Sequence, residues 1–97
     1  MQVHLAEQFD REFAGSEREW LARLPSAVGA APSEQVGRAL TARIGEGELA
    51  LSWREAPPRA GQSGPRLLVS FRFRGLQDIE RWRFMRGFER VMQPERR

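Results

Sequence analysis

From Arg66 to Arg74 every second residue is large and apolar: Leu67, Val69, Phe71 and Phe73 alternate with Arg66, Leu68, Ser70, Arg72 and Arg74. A period of two belongs to an extended chain, whose successive side chains point to opposite faces. Aromatic and β-branched residues fit such a pleated, half-buried surface. The run predicts a strand with one apolar face and one mainly cationic face, which requires a sheet buried on one side. The rest of the chain has to supply the partner strands and the cover.

Partners are visible upstream. Residues 48–54 place Leu49, Leu51 and Trp53 on one face against Glu48, Ala50, Ser52 and Arg54 on the other. Residues 37–44 do the same with Leu40, Ala42 and Ile44 against Ala39, Thr41 and Arg43, and Gly45-Glu46-Gly47 between the two runs signals a hairpin. A Glu46-Gly47 turn sets Ile44 opposite Leu49, whereas a Gly45-Glu46 turn sets Ala42 opposite Leu49 and Arg43 opposite Glu48. Both registers keep apolar against apolar; a simple three-residue loop would not. Near the start, Leu5, Glu7, Phe9, Arg11 and Phe13 alternate like a strand, although Ala6, Phe9 and Phe13 also fit a helix. A strand is expected, because so aromatic an apolar face needs a further partner.

Two amphipathic helices are predicted to provide the cover. Ser16-Glu17-Arg18-Glu19 reads as a capping box, followed by Trp20, Leu21 and Leu24 and ended by Pro25. The second runs over 76–93, up to Pro94, with Phe84, Met85, Phe88, Val91 and Met92 on one arc as a core stripe. Asp78 and Glu80 near its start and Arg90 near its end suit the helix dipole. Segments 25–33 and 55–65, rich in Pro and small residues, read as flexible connections, and 94–97 as a short tail. The expected product is a single α+β domain over 1–97, in the order β-α-β-β-β-α. It has an antiparallel three- to four-stranded sheet with both helices packed on one face. With 97 residues, 22 of them Leu, Ile, Val or Phe, the chain can build one modest core.

Charge narrows the chemistry further. All sixteen basic residues are Arg, and Cys, Lys, Asn and Tyr are absent. That excludes disulfides and thiolate metal sites, and it leaves His4 as the lone histidine. A GC-rich coding sequence is a sufficient cause of the arginine bias. The net charge is only +3, yet residues 1–50 carry five Arg and eight acids (−3) and residues 51–97 carry eleven Arg and five acids (+6). No apolar run approaches the ~18 residues of a membrane span. The first ten residues lack the basic and apolar regions of a signal peptide. A cytoplasmic location with no membrane contact is expected.

Two surfaces are candidate sites. The outer sheet face gathers Arg43, Arg54, Arg66, Arg72 and Arg74, with Thr41, Ala50, Ser52, Leu68 and Ser70 among them. Such a set suits phosphate or an acidic protein surface; the plain alternative is an ordinary solvated face. Because Trp53, Phe71 and Phe73 point inward, this is not a sheet that stacks RNA bases on exposed aromatics. The last helix groups Ile79, Trp82, Arg83, Arg86 and Arg90 on its polar side, a composition common at protein contacts. Catalytic residues, metal ligands and cofactors are not expected. Glu7, Asp10, Glu12, Glu17 and Glu19 read as solvated surface, and Gly45-Glu46-Gly47 is too short for a phosphate loop. The expectation is a non-enzymatic binding module that contacts a protein partner or itself. The alternative is a nucleic-acid-binding domain using the same arginines, and the third reading is an enzyme with an unrecognised carboxylate/Arg site.

Overall fold

The computed structural model describes residues 5–29, 32–61 and 64–93. Its elements are β1 (Gln8–Ala14), α1 (Glu17–Val28), β2 (Ser33–Val36), β3 (Ala39–Ile44), β4 (Gly47–Glu55), β5 (Arg66–Arg74) and α2 (Asp78–Met92). The strands form one antiparallel sheet in spatial order β1-β5-β4-β3-β2. β2 to β5 make a meander, and β1 adds to the free side of β5. Among the described residues the fold is thus α+β with two helices, and the sheet has five strands where three or four were expected.

The alternation in β5 does what its period demands. Leu67, Val69, Phe71 and Phe73 are all buried. Across the sheet Phe73 faces Leu49, Phe71 faces Leu51 and Val69 faces Trp53, so the inward row of β4 extends the same apolar face. β1 joins it by setting Phe9 opposite Phe71 and Phe13 opposite Leu67. Rings from both helices meet this face. Trp20 of α1 lies 5.6 Å from Trp53 and 5.4 Å from Phe13 between ring centres, and Phe88 of α2 lies 5.3 Å from Phe71. Trp20 and Phe88 touch each other at 5.8 Å, which closes the core between the helices.

Of the two hairpin registers, the Gly45-Glu46 turn is the one formed: Arg43 faces Glu48 and Ala42 faces Leu49. Gly45 takes φ +58° at the first turn position, a conformation that an L side chain resists. The other register would place Glu46 there. Gly47 then lies against the chain leaving β5. A Cβ on it would come within 2.8 Å of Leu76 Cγ and meet the Arg74 carbonyl, while one on Gly75 would sit 3.3 Å from Gly47 Cα.

Three expectations need correction. Pro25 does not end α1, which continues to Val28. Proline removes one backbone donor at about 3 kcal/mol in a helix interior. Burial of Leu24, Ala27 and Val28 holds the helix together across it, and the Gly29 N–H closes the end on the Pro25 carbonyl at 3.1 Å. Within segment 25–33 the connection therefore shrinks, and Ser33 already belongs to β2. That strand was missed because all four of its residues are exposed and show no apolar alternation; its order comes from pairing with β3. The third strand accordingly starts at Ala39, since Gly37-Arg38 form the turn between β2 and β3.

One residue on the core stripe of α2 is polar. Arg81, 5% exposed, donates to the Leu5 carbonyl at 2.7 Å, to the Leu76 carbonyl and to the Asp78 carboxylate, with Glu7 at 3.8 Å. It ties the segment before β1 to the first turn of α2.

Candidate functional site

Register sorts the outer side of the sheet into rows. Arg43, Glu48 and Arg74 stand side by side, and the next row reads Glu34, Thr41, Ala50, Arg72 and Gln8. Below it come Val36, Ala39, Ser52, Ser70 and Asp10, and then Arg54, Leu68 and Glu12, with Arg66 beside Ala14 beyond. All five predicted sheet-face arginines therefore lie on the predicted face. The two middle rows carry short side chains flanked by long ones, which hollows the face into a concavity of about 390 Å³. Thr41, Ala50, Ser52, Ser70 and Arg72 line it.

The five arginines are not equivalent. Arg66 donates to Glu12 at 3.1 Å, and Arg59 from the β4–β5 connection binds the same carboxylate at 3.0 Å. Arg74 stands 3.9 Å from Glu48. Arg43, Arg54 and Arg72 have no acid partner among the described residues. β1 brings the compensating acids: its outward positions are Gln8, Asp10 and Glu12, and Asp10 accepts from the Ser70 hydroxyl at 2.8 Å.

The helix face is arranged differently. At about 100° per residue, Ile79, Arg83, Arg86 and Arg90 fall within about 60° of arc, opposite Arg81, Met85, Phe88 and Met92. Trp82 lies at the edge of that ridge, half-buried, with the Arg86 guanidinium 5.0 Å above its ring. The helix's acids point elsewhere: Glu89 takes Arg11 at 3.3 Å, Glu80 accepts from the Gln77 N–H at 2.8 Å, and Asp78 holds Arg81. No acid pairs with Arg83, Arg86 or Arg90 among the described residues.

Two glutamates pin connections to the fold. Glu17 accepts from Trp53 Nε1 at 2.8 Å and from Arg38 at 2.8 and 3.1 Å, which fastens the β2–β3 turn to the start of α1. Hydrogen bonding from Trp53 and then from Arg38 holds its carboxyl below the ordinary glutamate range. The Arg66 hydrogen bond does the same for Glu12, aided by the charge of Arg59. The sequence marks both glutamates as plain surface, because nothing local signals partners that lie 21 to 54 residues away. Arg81 was also missed, although its place on the core stripe of α2 was a signal. No group of three potential ligands is arranged for a metal among the described residues. His4 and residues 94–97 lie outside the described residues.

Compared with known proteins, the chain matches no family model, and neither a curated protein nor a solved structure resembles it significantly. No helix among the described residues is long and apolar enough to cross a membrane.

Proposed function

We propose that this chain is a small non-catalytic binding module of the cytoplasm that receives an acidic segment of a protein partner on the outer face of its sheet, with both helices packed on the other side. The observation that carries this reading is the combination of short rows with free guanidiniums. Arg72 rises from the edge of the concavity, Arg43 and Arg54 stand in the rows beyond it, and none of the three has an acid partner among the described residues. Guanidinium pairs bidentately with carboxylate, and the hydroxyls of Thr41, Ser52 and Ser70 supply further donors around it. Asp10 and Glu12 on β1 and Glu34 on β2 border the face on its two sides, so an acidic segment is directed to its middle, over β4 and β5.

The test is a titration of the labelled protein with an aspartate- and glutamate-rich peptide, followed by backbone amide shifts. Shifts concentrated at Thr41, Ala50, Ser52 and Arg72, and abolished by the Arg54→Glu/Arg72→Glu double variant, are expected. Shifts confined to α2, or none at low salt, would overturn the reading. Sedimentation of the protein alone separates the case in which the partner is a second copy, since that predicts a mass near twice 11.2 kDa.

A further inference from the structure

The arginine ridge of α2 does not depend on the sheet reading, and its chemistry differs. Arg83, Arg86 and Arg90 form a line about 10 Å long on the solvent pole of the helix. Each acid of α2 is turned to a flank or an end and engaged there. A line of cations with no acid partner among the described residues complements a linear polyanion. It does not suit a bilayer, which needs apolar side chains to bury beside the charges. The apolar side chains beside the ridge, Ile79 and Trp82, are half-buried, and the exposed large apolar residues among the described ones, Leu21 on α1 and Val36 on β2, do not belong to it.

The middle arginine sharpens the choice of polyanion. Arg86 lies over the Trp82 ring at 5.0 Å, which holds the guanidinium in place and leaves its other side toward solvent. A planar guanidinium presented in this way stacks on nucleobases, which splayed single strands expose and duplexes do not. An aspartate or glutamate side chain pairs with the edge of a guanidinium and offers no ring to stack on its face. We infer that the α2 ridge binds single-stranded nucleic acid, with Arg83 and Arg90 on phosphates and a base stacked on Arg86 above Trp82.

The experiment is fluorescence anisotropy of a labelled oligothymidylate of about a dozen nucleotides, with tryptophan emission recorded in parallel. Three arginine contacts to a single strand predict an affinity that falls about twentyfold between roughly 50 and 200 mM salt. The Arg83→Ala/Arg86→Ala/Arg90→Ala variant should bind at least tenfold more weakly while keeping the wild-type melting curve, because these side chains are exposed. Arg72→Glu on the sheet should leave the affinity unchanged. Emission should be quenched through Trp82, since Trp20 and Trp53 are buried, and Trp82→Phe should remove the quenching. Wild-type affinity in the triple variant would overturn the inference, and so would absence of binding at low salt. Equal affinity of the ridge for a glutamate-rich peptide, or for vesicles containing phosphatidylserine, would overturn it as well and reassign the ridge to an acidic protein or a lipid surface.

Discussion

The outer sheet face and the α2 ridge are both built from arginine, and they differ in where their acids come from. On the sheet, an arginine's neighbours belong to other strands about 5 Å away, so β1 places Asp10 and Glu12, from the acidic half of the chain, beside β5. On the helix, neighbours lie three or four positions away in the same segment, and the acids of that segment are already occupied at its ends and flanks. Arg66 is thereby neutralised by a residue 54 positions distant, whereas Arg83, Arg86 and Arg90 have no acid partner among the described residues. A basic run in a strand says little about surface charge until its partners are known. On a helix the run itself nearly decides it.

If compensation is what separates these arginines, removing each one should cost stability in proportion to what it holds. The largest effect is expected at Arg81, the buried arginine of the helix that carries the ridge. Arg81→Ala strands the Leu5 and Leu76 carbonyls and takes one donor from the Asp78 carboxylate and should cost about 3 kcal/mol in urea unfolding. A loss below about 1 kcal/mol would mean that the Leu5 segment is not held by it. Next comes Arg66→Ala, which leaves Glu12 to Arg59 alone and should cost clearly less than Arg81→Ala in the same measurement.

Acid titration probes the same pairs. A glutamate whose folded pKa is lowered contributes stability that is fully present above its unfolded value and disappears as pH falls through the folded one. Glu12 and Glu17 are both of this kind. Melting temperature should therefore drop on acidification from the ordinary glutamate range downward, and Glu12→Gln/Glu17→Gln should flatten that drop. An equally steep decline in the double variant would assign the acid sensitivity to other groups. The smallest effects belong to the free arginines. Arg72→Ala on the sheet and Arg83→Ala or Arg90→Ala on the ridge should each change stability by no more than about 0.5 kcal/mol. A larger loss at Arg72 would show that the sheet face is compensated after all, and the contrast would narrow.

The inward and outward sides of β3, β4 and β5 were legible because a two-residue period, once begun, assigns every side chain. The same logic left two hairpin registers, and the choice rested on which residue takes the positive φ at Gly45. β2 was invisible for the converse reason: Ser33-Glu34-Gln35-Val36 buries nothing, so no pattern is imposed on it. Pro25 misled because a local rule about lost donors was outweighed by side chains that meet only in the folded core. The five sheet arginines could be placed on a face from sequence, but their pairing could not, since Glu12 reaches Arg66 from 54 positions away and shares its carboxylate with Arg59.

Gly47 and Gly75 bear on where the ridge points. α2 begins three residues after Gly75, and Gly75 packs on Gly47 at the opening of β4 with no room for a carbon between them. The bearing of the helix is thus referenced to the sheet at a point where two side chains are missing. Bulk added at Gly47 would act as a wedge under the root of α2, tilting the arginine ridge as one piece while every ridge residue stayed unchanged. A substitution some forty positions upstream in the chain could in this way redirect the surface without altering its composition.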